Sequence, residues 1–237
     1  MSVFAGTSGF SYPAWKPVFY PKNVAAKNFL SYYATRLNCV EINYTYRQLP
    51  KAATLEGWVN ATPNGFVFAP KAHMKLTHIL RLKNAAEFTE IFLRAIDPLR
   101  SARRLGPILF QLPPTLKCDL PLLSDYLALL PADLRFAFEF RHDSWLSDSV
   151  YELLSKHRVC LCLAESEKLE IPKVFTADFA YFRLRKGDYS AEERQRIAGQ
   201  VRELSDAGRD VFVFFKHEDD PQGALYAQEL LTCPSSS

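Results

Sequence analysis

Charged and polar side chains recur near the ends of short apolar runs. In Arg135-Phe-Ala-Phe-Glu-Phe-Arg141 the side chains of a strand alternate between two faces, so Ala137, Glu139 and Arg141 share one and Phe136, Phe138 and Phe140 the other. The bulky row suits packing against helices. The small-then-charged row suits the interior of a curled sheet. The same reading groups Glu41 with Asn43, Lys71 with Val67 and Ala69, and Gln111 with Leu109. It also groups Arg183 and Arg185 with Tyr181, and Lys216 with Phe212 and Phe214. Because the polar members come late in these runs, six runs aim their polar groups at one place.

Two acids, Glu41 and Glu139, then face four bases, Lys71, Arg141, Arg183 and Lys216, or five with Arg185. An unpaired buried ion costs several kcal/mol. The surplus of positive charge therefore calls for an anion, a phosphate or a carboxylate, held by charge-assisted hydrogen bonds. The alternative is a closed structural network, and Glu165 or Glu218 from loops would reduce the surplus. Glu41 and Glu139 are also a candidate acid–base pair with His142 as proton donor. Basic neighbours would lower both carboxyl pKa values, which suits a base or nucleophile; alternatively each simply pairs an arginine. The histidines are His73, His78, His142, His157 and His217, with no HxH or HExxH spacing. No cofactor is expected; a divalent metal at Glu41, Glu139, His142, His217 and Glu218 is the alternative. Tyr12, Trp15, Tyr46 and Trp145 lie in loops where they could stack on a sugar or base, or merely pin the loops.

The elements that must position these groups alternate along the chain. Among 237 residues, 48% hydrophobic with net charge +3, strand-like runs cover Val3–Ala5, Cys39–Asn43, Phe66–Pro70, Ile108–Leu112, Phe136–Phe140, Val159–Leu163, Ala180–Leu184 and Val211–Phe215. Helical stripes intervene, such as Phe29, Leu30, Tyr33 and Leu37, or Phe88, Ile91, Phe92, Ala95 and Leu99. Ser190 and Glu193 form a capping box, and Asp220-Pro221 opens the last helix. Eight such units predict a single-domain TIM-type (β/α)8 barrel over residues 1–237, with its site at the C-terminal ends of the strands. The stretch from Leu163 to Ala180 holds Pro172, so the sixth helix is expected to be short or missing. An open doubly wound sheet is the other possibility, but neither GxGxxG nor a Walker pattern is present. No basic, apolar leader opens the chain and no run of 18 apolar residues occurs, so neither a signal peptide nor a membrane span is expected. Five cysteines without CxxC argue against a disulfide framework and for the cytoplasm. Cys160 and Cys162 share a strand face, which suits packing rather than metal ligation. The helices carry mixed charge without a basic stripe, so an extended duplex DNA partner is not expected.

Several strings occur together: Gly6-Thr-Ser-Gly-Phe-Ser-Tyr12-Pro-Ala-Trp15, Phe19-Tyr-Pro21, Val40-Glu-Ile-Asn43-Tyr-Thr-Tyr46, Thr62-Pro63 with Phe66 to Lys71, Leu105-Gly-Pro-Ile-Leu-Phe-Gln-Leu-Pro-Pro114 and Phe138-Glu-Phe-Arg-His-Asp-Ser-Trp145. In this order they resemble the YecE-like family, a domain of unknown function. The resemblance implies a TIM-type barrel in a bacterial cytoplasmic protein, akin to xylose-isomerase and endonuclease IV barrels, and by that analogy phosphate or nucleic-acid chemistry. It carries over Glu41, Asn43, Gln111, Glu139, Arg141, His142 and Trp145. This chain departs from the family form at Asn43-Tyr-Thr-Tyr-Arg47 and at Lys216-His-Glu-Asp-Asp220. The expectation is an enzyme acting on a phosphorylated or otherwise anionic small molecule, nucleotides and nucleic-acid ends included. Lys71, Arg141, Arg183 and Lys216 would hold the anion, Glu139 or Glu41 would act as base and His142 as acid. Asn43, Tyr46, Gln111, Trp145 and Tyr12 would line the site. Its rivals are a metal-free carbohydrate hydrolase or isomerase using Glu41 and Glu139, and a non-catalytic anion-binding or scaffold barrel.

Overall fold

A computed structural model describes residues 1–216 and 220–232. His217, Glu218, Cys233 and the serine tail therefore lie outside the described residues. Eight strands run parallel: β1 (Val3–Thr7), β2 (Cys39–Ile42), β3 (Val67–Pro70), β4 (Ile108–Gln111), β5 (Phe136–Glu139), β6 (Cys160–Ala164), β7 (Phe179–Leu184) and β8 (Asp210–Phe215). Each falls within a residue or two of its apolar run. The principal helices are α1 (Phe29–Tyr33), α2 (Tyr44–Arg47), α3 (Ala52–Asn60), α4 (Ala86–Ser101), α5 (Leu120–Ala128), α6 (Asp148–Lys156), α7 (Ala191–Asp206) and α8 (Gln222–Thr232). No helix separates β6 from β7, as Pro172 and its neighbours imply. The Ser190–Glu193 capping box opens α7, and Asp220 Oδ1 accepts from the Gln222 amide at the start of α8.

The strand ladders divide the sheet where an unbroken eight-stranded one was expected. Six strands pair in the order β1-β8-β7-β6-β5-β4, and β2 pairs with β3 separately. The cause is local at each edge. Between β1 and β2, Tyr33 and Asn38 take the place of ladder bonds. The Tyr33 hydroxyl accepts from the Thr7 amide at 2.8 Å and donates to the Cys39 carbonyl at 3.0 Å. Asn38 accepts from the Ala5 amide and donates to the Val3 carbonyl. Gly6 is required here, since a Cβ would lie 2.0 Å from the Cys39 carbonyl oxygen. Between β3 and β4, Pro107 has no amide to donate, and Gly106 donates instead to the Phe68 carbonyl at 2.7 Å. Isolated parallel bridges, Ser8 with Glu41 and Lys71 with Leu109, join the pair to the larger sheet at both its edges.

The two strand faces pack separately, as alternation requires. One apolar cluster holds Ala69, Leu109, Ala137, Cys160, Cys162, Tyr181, Phe212 and Phe214. The larger one joins Phe68, Phe110, Phe136, Phe138 and Phe140 to the helices. Phe110 stacks on Phe138 with centroids 5.0 Å apart. The helices thus cover the bulky face, and the small-residue face leads along the strands to the polar groups. Among the described residues, no helix is long and apolar enough to cross a membrane.

Candidate functional site

At the C-terminal ends of the strands one hydrogen-bonded network links Glu41 of β2, Lys71 after β3, Gln111 of β4, Glu139 of β5 and Arg183 of β7. Arg183 is its centre and is only 2% exposed. Its Nε donates to Glu41 Oε2 at 2.9 Å and its Nη2 to Glu41 Oε1 at 2.7 Å, a two-pronged pair. Its Nη1 donates to Glu139 Oε2 at 2.5 Å. Ser8 Oγ donates to Glu41 Oε1, and the Tyr181 hydroxyl to Oε2. Glu139 Oε2 also accepts from Gln111 Nε2 at 2.8 Å, while Gln111 Oε1 accepts from Lys71 Nζ at 3.0 Å. The amide of Gln111 is thereby fixed, oxygen toward the ammonium and nitrogen toward the carboxylate.

Glu139 Oε1 has a different environment. Arg141 Nε and Arg185 Nη2 both donate to it, at 3.1 and 2.7 Å. Two guanidinium groups thus converge on one oxygen. Among the described residues the Arg185 Nε is buried without a hydrogen-bond partner. Among the described residues Arg141 makes this single bond, and its two Nη groups have none. Four cations, Lys71, Arg141, Arg183 and Arg185, share two carboxylates.

Burial would raise the pKa of Glu41 and Glu139, but the arginines outweigh it. Arg183, through charge and hydrogen bonds, holds Glu41 below the ordinary carboxylate range. Arg183, Arg185 and Arg141 together hold Glu139 at about 2. Both are therefore ionised near neutrality, and each accepts four hydrogen bonds. Lys71 moves the other way. Burial and the nearby Arg183 charge bring it down to about 8, against the opposing pull of both glutamates.

The remaining predicted residues divide. Tyr46 of α2 offers its ring to Lys71 Nζ, 4.2 Å from the centroid, and so joins the network. Asn43 lines a neighbouring cavity of about 270 Å³ with Tyr12, Phe10 and Trp58. Tyr12 donates its hydroxyl to the Ser8 carbonyl. His142 Nδ1 accepts from the Ser144 amide and caps the turn at Asp143–Trp145. That nitrogen is occupied by a structural role. Trp145, expected to line the site, is instead fully buried: it stacks on Phe140 at 4.8 Å and its Nε1 donates to the Leu116 carbonyl. Trp15 is likewise buried, against Phe19 and Tyr20. Lys216 is exposed, with no side-chain partner among the described residues. Among those residues no three His, Cys, Asp or Glu side chains group as metal ligands. Strand alternation by itself assigns no role to Ser8 or Tyr181 and leaves Arg185 as an optional fifth base. For Tyr181 and Arg185 the signal is alternation, since they flank Arg183 two positions away on its own face.

Larger hollows lie elsewhere. One of about 650 Å³ opens where the sixth helix would pack, lined by Leu163, Phe182, Leu184, Ile171 and Ile197 among others.

The profile of the family described as "Protein of unknown function DUF72" matches residues 4–235. The UPF0759 protein YecE of Escherichia coli (strain K12) is 30% identical over 146 residues, 61% of this chain and 50% of that protein. The UPF0759 protein YunF of Bacillus subtilis (strain 168) is 29% identical over 140 residues, 56% of this chain and 49% of that protein. The matches thus span about half the length of these curated relatives. The crystal structure of a DUF72 family protein from Thermotoga maritima superposes with a TM-score of 0.87 at 31% identity, covering 98% of each chain. The chain belongs to the DUF72 family.

Proposed function

We propose that the strands act as one closed TIM-type (β/α)8 barrel whose C-terminal end binds a small anionic ligand, a phosphate- or carboxylate-bearing molecule. The isolated bridges on both sides of β2 and β3 support the closed reading. The observation that carries the anion is the convergence of Arg141 and Arg185 on Glu139 Oε1, with the Arg185 Nε left buried and unpartnered. A guanidinium N–H left without an acceptor in a buried place loses hydration and gains nothing. A phosphate or carboxylate oxygen supplies the acceptor and balances the surplus charge.

In this reading Glu41 and Glu139 are positioning residues. Each accepts four hydrogen bonds, so neither has a lone pair waiting for a proton from a substrate. That favours an anion site over a two-glutamate hydrolase or isomerase. Arg183 is locked between the glutamates and serves as the strut; Arg141, Arg185 and Lys71 face the ligand. The four described cysteines are free and mostly buried, which suits a reducing compartment and supports a cytoplasmic setting.

Titration calorimetry with inorganic phosphate tests the reading. Arg141→Ala and Arg185→Ala are each expected to weaken phosphate binding about tenfold, or about 1.4 kcal/mol. Phosphate binding that neither substitution alters, or no binding by the unaltered protein, would overturn it.

A further inference from the structure

Lys71 has a setting that anion binding alone does not require. It is 8% exposed, so the side chain is largely removed from water. It forms no ion pair among the described residues, although Glu41 and Glu139 belong to the same network. Among the described residues its ammonium makes one hydrogen bond, to a neutral amide oxygen, Gln111 Oε1. The groups that face it come from several elements: Arg183 from β7, Glu41 from β2, Glu139 and Arg141 from the β5 end, Tyr46 from α2, and His78 from the turn beyond β3. The Tyr46 ring and the two carboxylates favour the charged form. Burial and the two arginines oppose it and prevail. His78, edge-on to Tyr46 at 5.4 Å, is itself held below the ordinary histidine range by burial and by Lys71 and Arg141.

We propose that Lys71 is a nucleophilic amine that forms an imine with a carbonyl group of the anionic ligand, which makes the ligand class a phosphorylated or carboxylated aldehyde or ketone. This rests on the anion site proposed above. The Nζ lone pair forms the C–N bond while the carbonyl π pair moves onto oxygen. The two amine protons then leave with that oxygen as water, and no oxidant or reductant is consumed. Gln111 holds the amine in place through its oxygen, and the Arg141–Arg185 pair holds the anionic end of the same molecule. With a pKa of about 8, roughly a tenth of Lys71 is unprotonated at pH 7, about two hundredfold more than for an ordinary lysine.

The test uses the whole chain and two aldehyde probes, pyridoxal 5′-phosphate and pyridoxal, each reduced onto the protein with borohydride and located by peptide mass mapping. Pyridoxal 5′-phosphate is expected to mark Lys71 at least about tenfold faster than the exposed Lys22 and Lys51. Marking should rise with pH and level off above about 8, and inorganic phosphate should suppress it. Equal marking of Lys71 by both probes, unaffected by phosphate, would uphold the nucleophilic amine and refute the anion site. Marking of Lys71 no faster than Lys22 and Lys51 would overturn the inference, while phosphate binding seen by calorimetry would leave the anion site standing. Lys71→Arg is expected to lose the mark at this position. An undiminished total mark in that variant would also count against Lys71.

Discussion

Replacing Arg183 by methionine isolates what the central arginine does. The side chain keeps its volume and loses its charge. Glu139 retains Arg141, Arg185 and Gln111, whereas Glu41 retains only Ser8 and the Tyr181 hydroxyl. One carboxylate is thus stranded, and it is 0% exposed. Removing one partner of a buried pair costs about 3–5 kcal/mol, a large share of a domain's total of about 5–15 kcal/mol. The pH dependence should change sign as well. In the unaltered protein both glutamates lie below their unfolded values, so their stabilisation is complete above about pH 4.3 and is lost as pH falls. In Arg183→Met burial prevails at Glu41 and its pKa rises above the unfolded value. Stability of the variant then falls as pH rises through that raised value. Urea unfolding at pH 7 should show the full loss, and at pH 4 a smaller one. Adding Glu41→Gln to the variant should recover part of the loss at pH 7, and adding Glu139→Gln should not. A loss below about 1 kcal/mol at pH 7, or equal rescue by either glutamine, would refute this account of the network.

Other outcomes follow from the same contacts. With Glu139 held at about 2, its contribution of about 3 kcal/mol should disappear between roughly pH 4.5 and pH 2; Glu139→Gln should flatten that acid limb of the urea midpoint. Tyr33→Phe strands the Thr7 amide and the Cys39 carbonyl at the β1–β2 edge and should cost about 1–3 kcal/mol by urea unfolding. Trp145→Phe leaves the Leu116 carbonyl without its donor and should cost about 1–3 kcal/mol while leaving phosphate affinity unchanged in calorimetry.

Strand alternation makes most of the network legible in the sequence. Periodicity alone placed Glu41, Lys71, Gln111, Glu139 and Arg183 on one face, and the missing sixth helix followed from Pro172. What periodicity does not encode is how a side chain ends. Trp145 and Arg141 follow the same strand, yet the indole turns back onto Phe140 while the guanidinium reaches Glu139. Loop aromatics are apolar enough to be drawn into the core, and nothing in their spacing distinguishes that from a ligand face. The break in the strand ladder was equally hidden, since it depends on where Tyr33 and Asn38 insert their polar ends. The roles of the glutamates could not be read from sequence because the count of donors on each oxygen is a matter of geometry. Two acids among several bases fit a catalytic pair as well as a pair of struts, and the four donors on each carboxylate are what favour the strut reading proposed above.

The anion site itself is tested most directly by a crystal structure of the protein soaked with tungstate, an electron-dense oxyanion comparable in shape to phosphate, with its position read from anomalous scattering. The expected result is an ion within hydrogen-bond distance of Arg185 Nε and an Arg141 Nη group, and its loss in Arg185→Ala. Tungstate bound only at other basic surfaces, with the Arg141–Arg185 pair empty, would contradict the account.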